Sequence, residues 1–142
     1  MEPINQRREA VQRAYAVFRA YRRTLSPTTS YWTMDDPEIR AIQRRVNDTA
    51  LTSLDPETLR NVVWNATGDE RSLKHFLPRV LDCIDSGTLS IGDLTVRLEP
   101  VAIRDWPEQE ARVLRDFLVA GPLPPDGEAL LLACETRLST SR

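Results

Sequence analysis

The sequence predicts an all-α fold: a single-domain irregular bundle of six or seven helices over residues 1–142, with stacked helical hairpins as one arrangement. Three observations point there. Apolar residues recur in steps of three and four along most of the chain, marking one face of a helix at a time. Proline-acid pairs such as Asp36-Pro37-Glu38, Asp55-Pro56-Glu57 and Trp106-Pro107-Glu108 supply helix-start chemistry. Strand-like alternation is confined to one short stretch near residues 94–98.

Composition bounds the answer further. With 142 residues, 41% hydrophobic and 28% charged, the chain has the make-up of one folded globular domain. Its 19 Lys and Arg against 21 Asp and Glu leave a net charge of -2, which excludes a globally basic nucleic-acid binder but not a local basic patch. No apolar run approaches the roughly 18 residues of a membrane span, and MEPINQRREA lacks the apolar centre of a signal peptide. The cytoplasm is the expected compartment, with no membrane partner.

The first helix is expected from Glu2 to Leu25, with Val11, Ala14, Phe18, Tyr21 and Leu25 on its apolar face. Ser26–Thr33 then reads as a loop displaying Tyr31 and Trp32, because Pro27 and the hydroxyl side chains compete with helical hydrogen bonds. A helix should run from Pro37 to about Asn47, and another from Pro56 to Ala66 with Leu59, Val62, Val63 and Ala66 inward. Both begin with Asp-Pro-Glu followed by an aliphatic residue and Arg; the shared residues are mostly generic start signals, so a duplication is the weaker reading.

A long helical segment opens near Thr67 or Asp69 and runs through Asp85, closed by Gly87. Pro78 lies inside it and predicts a kink, or two short helices meeting at Leu77-Pro78. For 88–104 a helix led by a Ser90–Asp93 capping box and running through Leu98 is favoured, while a hairpin turning at Gly92-Asp93 competes. Trp106-Pro107-Glu108 then begins a helix carrying Ala111, Val113, Leu114, Phe117 and Leu118, which Gly121 and Pro122–Pro125 end. A last helix from Asp126 or Gly127 should reach Leu138, leaving 138–142 as a frayed tail.

The run Lys74-His75-Phe76-Leu77-Pro78-Arg79-Val80-Leu81-Asp82 resembles the signature of a family of all-helical bacterial proteins, an aromatic-Leu-Pro-Arg-aliphatic-Leu-acid stretch. Asp36-Pro37-Glu38 and Trp106 also fall in fitting positions. The resemblance implies a helical bundle and a bacterial source, and brings no activity with it. Relatives often carry cysteines before the Asp-Pro-Glu segment; Ser26, Thr28 and Thr29 stand here instead, which argues against a thiol or metal role in that loop.

Few side chains suggest chemistry. One histidine and two distant cysteines cannot supply a zinc cluster, and no metal or other cofactor is expected. Cys83 and Cys134 sit among apolar neighbours and read as small buried hydrophobes. Lys74 is the only lysine among the 19 basic residues, a bias that a GC-rich genome explains as readily as selection for anion binding. Neither a Gly-rich phosphate loop nor a nucleophile elbow is present.

Three surfaces remain. On the first helix Arg8, Arg19, Arg22 and Arg23 share a flank with Tyr15, in a segment, 1–45, that carries nine bases against five acids. They form an anion-binding stripe, or pair with acidic helices of the same molecule or are simply solvated. In the 70–86 segment Ser72, His75, Arg79, Asp82 and Ser86 follow helical spacing; His75 would be the acid or base and Arg79 the anion holder, or all would form surface bonds. Cys83 lies about 12 Å along a helix from His75, too far for a Cys-His pair. Trp32 and Trp64 are the better interface tryptophans, and Trp106 should pack over its helix.

The leading expectation is a non-catalytic module that binds an acidic protein partner, of an immunity, regulatory or defence-accessory type. Its contacts would be Arg8, Tyr15, Arg19, Arg22, Arg23, Tyr31, Trp32 and the His75, Arg79, Asp82 edge. A small enzyme using His75 on an anionic substrate and a nucleic-acid binder using the arginine stripe are the alternatives; a homodimer is a further arrangement.

Overall fold

The computed structural model describes residues 3–21, 41, 44–46, 48–60 and 70–140, with side chains from residue 6 onward. It is an all-α bundle, and no strand occurs among the described residues. The helices are α1 (Pro3–Val17), α2 (Pro56–Thr58), α3 (Glu70–Asp85), α4 (Ile91–Thr95), α5 (Pro100–Ile103), α6 (Glu108–Val119) and α7 (Pro125–Ser139), with a 3-10 turn at Leu51–Ser53. Residues 41, 44–46 and 48 are also helical, within the expected 37–47 segment.

Packing follows the apolar stripes. Helix α1 lies against both α6 and α3, α7 packs on α6, and the short α4 and α5 brace α7. Ala10, Val11 and Ala14 enter the core from α1 and Phe18 from the turn after it, Phe76, Leu77, Val80 and Leu81 from α3, and Leu114, Phe117 and Leu118 from α6. Each large side chain removed from water contributes roughly 1.5–3 kcal/mol. Trp106, ahead of α6, is fully buried and meets Phe18 edge-on, the ring centroids 6.0 Å apart.

The expected capping box at Ser90, the cap at Asp55 and the stop at Gly87 are present. Ser90 and Asp93 form the reciprocal capping box: the Asp93 amide donates to Ser90 Oγ at 3.3 Å and the Ser90 amide to Asp93 Oδ2 at 2.9 Å. Asp55 accepts from the Thr58 amide at 3.0 Å. Gly87 closes α3 at φ +85°, a left-handed backbone that suits glycine.

Four boundaries differ from expectation. Helix α1 ends at Val17 and turns through residues 18–20 instead of reaching Leu25, because the Tyr21 carbonyl is taken by His75 and its hydroxyl by Glu110. Helix α3 is one continuous 16-residue helix through Pro78, not two helices meeting there. Proline removes one amide donor, and burial of α3 residues on both sides of it outweighs that loss. The 88–104 stretch is the helix and not the hairpin, but α4 stops at Thr95 and a second helix, α5, starts at Pro100, where proline suits a first turn. The tail is not frayed from 138: α7 continues through Ser139, with Leu138 packed on the core.

The outward Trp64 and the inward Val62, Val63 and Ala66 of the expected 56–66 helix lie outside the described residues, as does Trp32.

Candidate functional site

Seven residues separate Arg8 from Tyr15, two turns, so both leave α1 on one side. They converge on α3, where Arg79, Asp82 and Asp85 follow one another at steps of three. Arg8 Nη1 donates to Asp82 Oδ1 at 2.9 Å and to Asp85 Oδ2 at 3.2 Å. Tyr15 Oη donates to Asp82 Oδ2 at 2.8 Å, and Arg79 Nη1 donates to the same oxygen at 3.2 Å. Arg79 Nε reaches back to the Leu54 carbonyl at 2.9 Å, tying the 3-10 turn to α3. Burial alone would raise the Asp82 carboxyl; the bonds from Tyr15 and Arg8 and the charges of Arg8 and Arg79 outweigh it and hold Asp82 below the usual carboxylate range. Burial, then the Asp82 bond, push the Tyr15 phenol well up.

A second polar cluster lies deeper, where α3 and α6 meet the turn after α1. Lys74 Nζ sits 2.8 Å from Glu110 Oε1, and their side chains are only 7% and 4% exposed. Tyr21 Oη donates to Glu110 Oε2 at 2.6 Å and accepts from Lys74 Nζ at 3.3 Å. The ammonium also lies 4.9 Å from the Trp106 ring centre and 5.1 Å from that of Tyr21. Trp106 Nε1 donates to Glu70 Oε1 at 2.9 Å, so the largest core side chain has its polar atom satisfied at the rim. Burial would lower the Lys74 ammonium, but the bonds to Glu110 and Tyr21 outweigh it and raise its pKa. Lys74 thus bridges α3 to Glu110 of α6 and to Tyr21.

Sequence reasoning missed this cluster, although a signal was present. Lys74 shares the helical face of Leu77 and Leu81, and Glu110 that of Val113, Leu114 and Phe117, so each is a charged residue placed on an apolar stripe. Two such misfits of opposite sign in one chain suggest a buried pair.

His75 is drawn into the same region: its Nδ1 lies 2.8 Å from the Tyr21 carbonyl, and because a carbonyl only accepts, Nδ1 carries the proton. Cys83 and Cys134 are buried free thiols; burial raises both, Cys134 to about 12. Among the described residues no group of three or more His, Cys, Asp and Glu is arranged to hold a metal ion. No helix of the described residues is long and apolar enough to cross a membrane.

The residues singled out from sequence thus separate into three sets. Arg8, Tyr15, Arg79 and Asp82 meet one another, and His75 meets the backbone of Tyr21. Arg19 is exposed in the turn after α1, so it does not extend a helical stripe from Arg8. Arg22, Arg23, Tyr31 and Trp32 lie outside the described residues. Among surface depressions, one of about 220 Å³ runs between α5 and α7, lined by Pro100, Arg104, Ala129, Leu132, Ala133 and Thr136.

Comparison of the chain with protein families, with curated proteins and with solved structures finds no match in any of the three. The likeness of residues 74–82 to a bacterial signature stays a reading of that segment alone.

Proposed function

We propose that this protein is a non-catalytic helical module of the bacterial cytoplasm that binds an acidic protein partner, in an immunity, regulatory or defence-accessory role. One observation carries the reading: the side chains best suited to acid-base or anion chemistry are committed to holding the fold together. Asp82 is bonded by Arg8, Arg79 and Tyr15, and His75 holds the Tyr21 carbonyl. Against this, Arg19 is exposed and makes no side-chain bond to a described residue, and it is followed in sequence by Arg22 and Arg23. This short basic stretch, with Tyr31 and Trp32 following eight residues later in the sequence, brings bidentate donors and aromatic side chains, the residue types that anchor partner contacts.

The test is capture of partners from the native host by wild-type protein and by the R19E/R22E/R23E variant. The triple reversal should abolish capture while far-UV circular dichroism stays unchanged, and H75A, if folded, should capture normally. Undiminished capture by the triple variant overturns the reading. Capture of DNA or RNA that falls steeply with added salt would replace the protein partner with a nucleic acid.

A further inference from the structure

On the α5–α7 face, exposed apolar side chains line a depression together with the cation Arg104, and two exposed acids of α7, Glu128 and Glu135, flank it. Leu132 stands 66% exposed at the centre of the outward side of α7, and Val101 is 57% exposed on α5 beside Pro100. A single exposed leucine is ordinary on a protein surface; here Pro100, Ala129 and Leu132 share the wall of one groove. Ala129 and Ala133 keep that wall low, so a second helix has room to approach closely.

One basic and two acidic side chains flank Leu132 on opposite sides. At about 100° per residue, Ala129 and Ala133 fall on the α5 side of Leu132, and Glu128 and Glu135 on the other. Arg104, the residue that ends α5, lines the groove across from them. Arg104, Glu128 and Glu135 are all exposed, and none makes a side-chain bond to a described residue.

We infer that this face pairs two copies of the chain. A two-fold contact uses the same patch on both molecules, so each patch must offer both halves of every bond. An axis running along α7 sets Arg104 of each copy against Glu128 and Glu135 of the other and packs Leu132 into the opposing groove. A strongly acidic or strongly basic partner would call for one sign of charge only; two signs flanking an apolar centre match a second copy. The inference is independent of the basic stretch at residues 19–23, which lies elsewhere in the chain.

The experiment is sedimentation equilibrium of the full chain from about 1 μM to about 1 mM, the range over which contacts of modest free energy dissociate. Wild type should pass from monomer to dimer. L132E should raise the dissociation constant by at least about 30-fold, as loss of a central interface residue does. R104E and E128R/E135R should each weaken the dimer, and combining all three substitutions should restore it, with circular dichroism confirming the fold throughout. A wild-type monomer at every concentration overturns the inference. So does a dimer indifferent to L132E, or a triple variant no better than its parents. In each of those cases partner capture through Arg19 is read separately.

Discussion

Two polar clusters join α1, or the turn that follows it, to α3, and they differ in depth. The Arg8–Asp82–Arg79–Tyr15 cluster lies at the edge, with the Arg8 side chain 41% exposed, whereas Lys74 and Glu110 are almost wholly enclosed. At the edge, water answers a charge when a partner is lost. In the interior nothing does, so the same change in chemistry has a larger consequence. The edge cluster is accordingly an adjustable clasp, while the inner pair is a condition for the core to close around Trp106.

The sharpest way to break this contrast is Glu110→Ala. It strands the Lys74 ammonium against two aromatic rings, and should cost about 3–5 kcal/mol in urea-induced unfolding. Replacing both partners, K74M with E110L, should recover much of that loss, because a well-packed apolar pair needs no charge compensation. A Glu110→Ala protein as stable as wild type would mean that the inner pair is not closed to water.

Asp82→Asn comes next. It weakens three charge-assisted bonds at a partly wetted edge, and a loss of about 1–3 kcal/mol is expected. The pH dependence gives the sign. Asp82 is held below its ordinary value in the folded chain, so its contribution is present above the unfolded-state pKa of about 3.9 and fades as pH falls through the lower folded value. For Lys74 the folded pKa is raised; its contribution is present below about 10.4 and lost as pH climbs through the folded value. Unfolding free energy measured against pH should therefore lose an acid limb in D82N and an alkaline limb in K74M. A swap of those limbs would reverse the assignment.

The two clusters also differ in how far the sequence reveals them. Arg79 and Asp82 stand three residues apart on a helix, and Arg8 and Tyr15 seven apart, so periodicity alone placed each pair on one flank. That the two flanks face each other depended on packing. The inner cluster draws Tyr21, Lys74, Trp106 and Glu110 from three distant stretches, and no spacing rule relates them. The same division runs through the fold. Helix starts at Asp55 and Ser90 were legible because a cap is a contact between near neighbours. The end of α1 was not, since His75 and Glu110 set it from 54 and 89 residues away. Pro78 misled for a related reason: a local penalty was exceeded by burial of the helix around it.

A smaller change separates purely local from long-range control. Ser90→Ala removes the hydroxyl that caps α4 and should cost about 1 kcal/mol in the same urea titration. Because the capping box touches neither cluster, the acid and alkaline limbs of the pH profile should stay where they are in wild type. If S90A instead shifted the alkaline limb, α4 and the Lys74–Glu110 pair would be coupled through α3, against which α4 packs. The inner cluster would then govern a larger part of the bundle than its own contacts span.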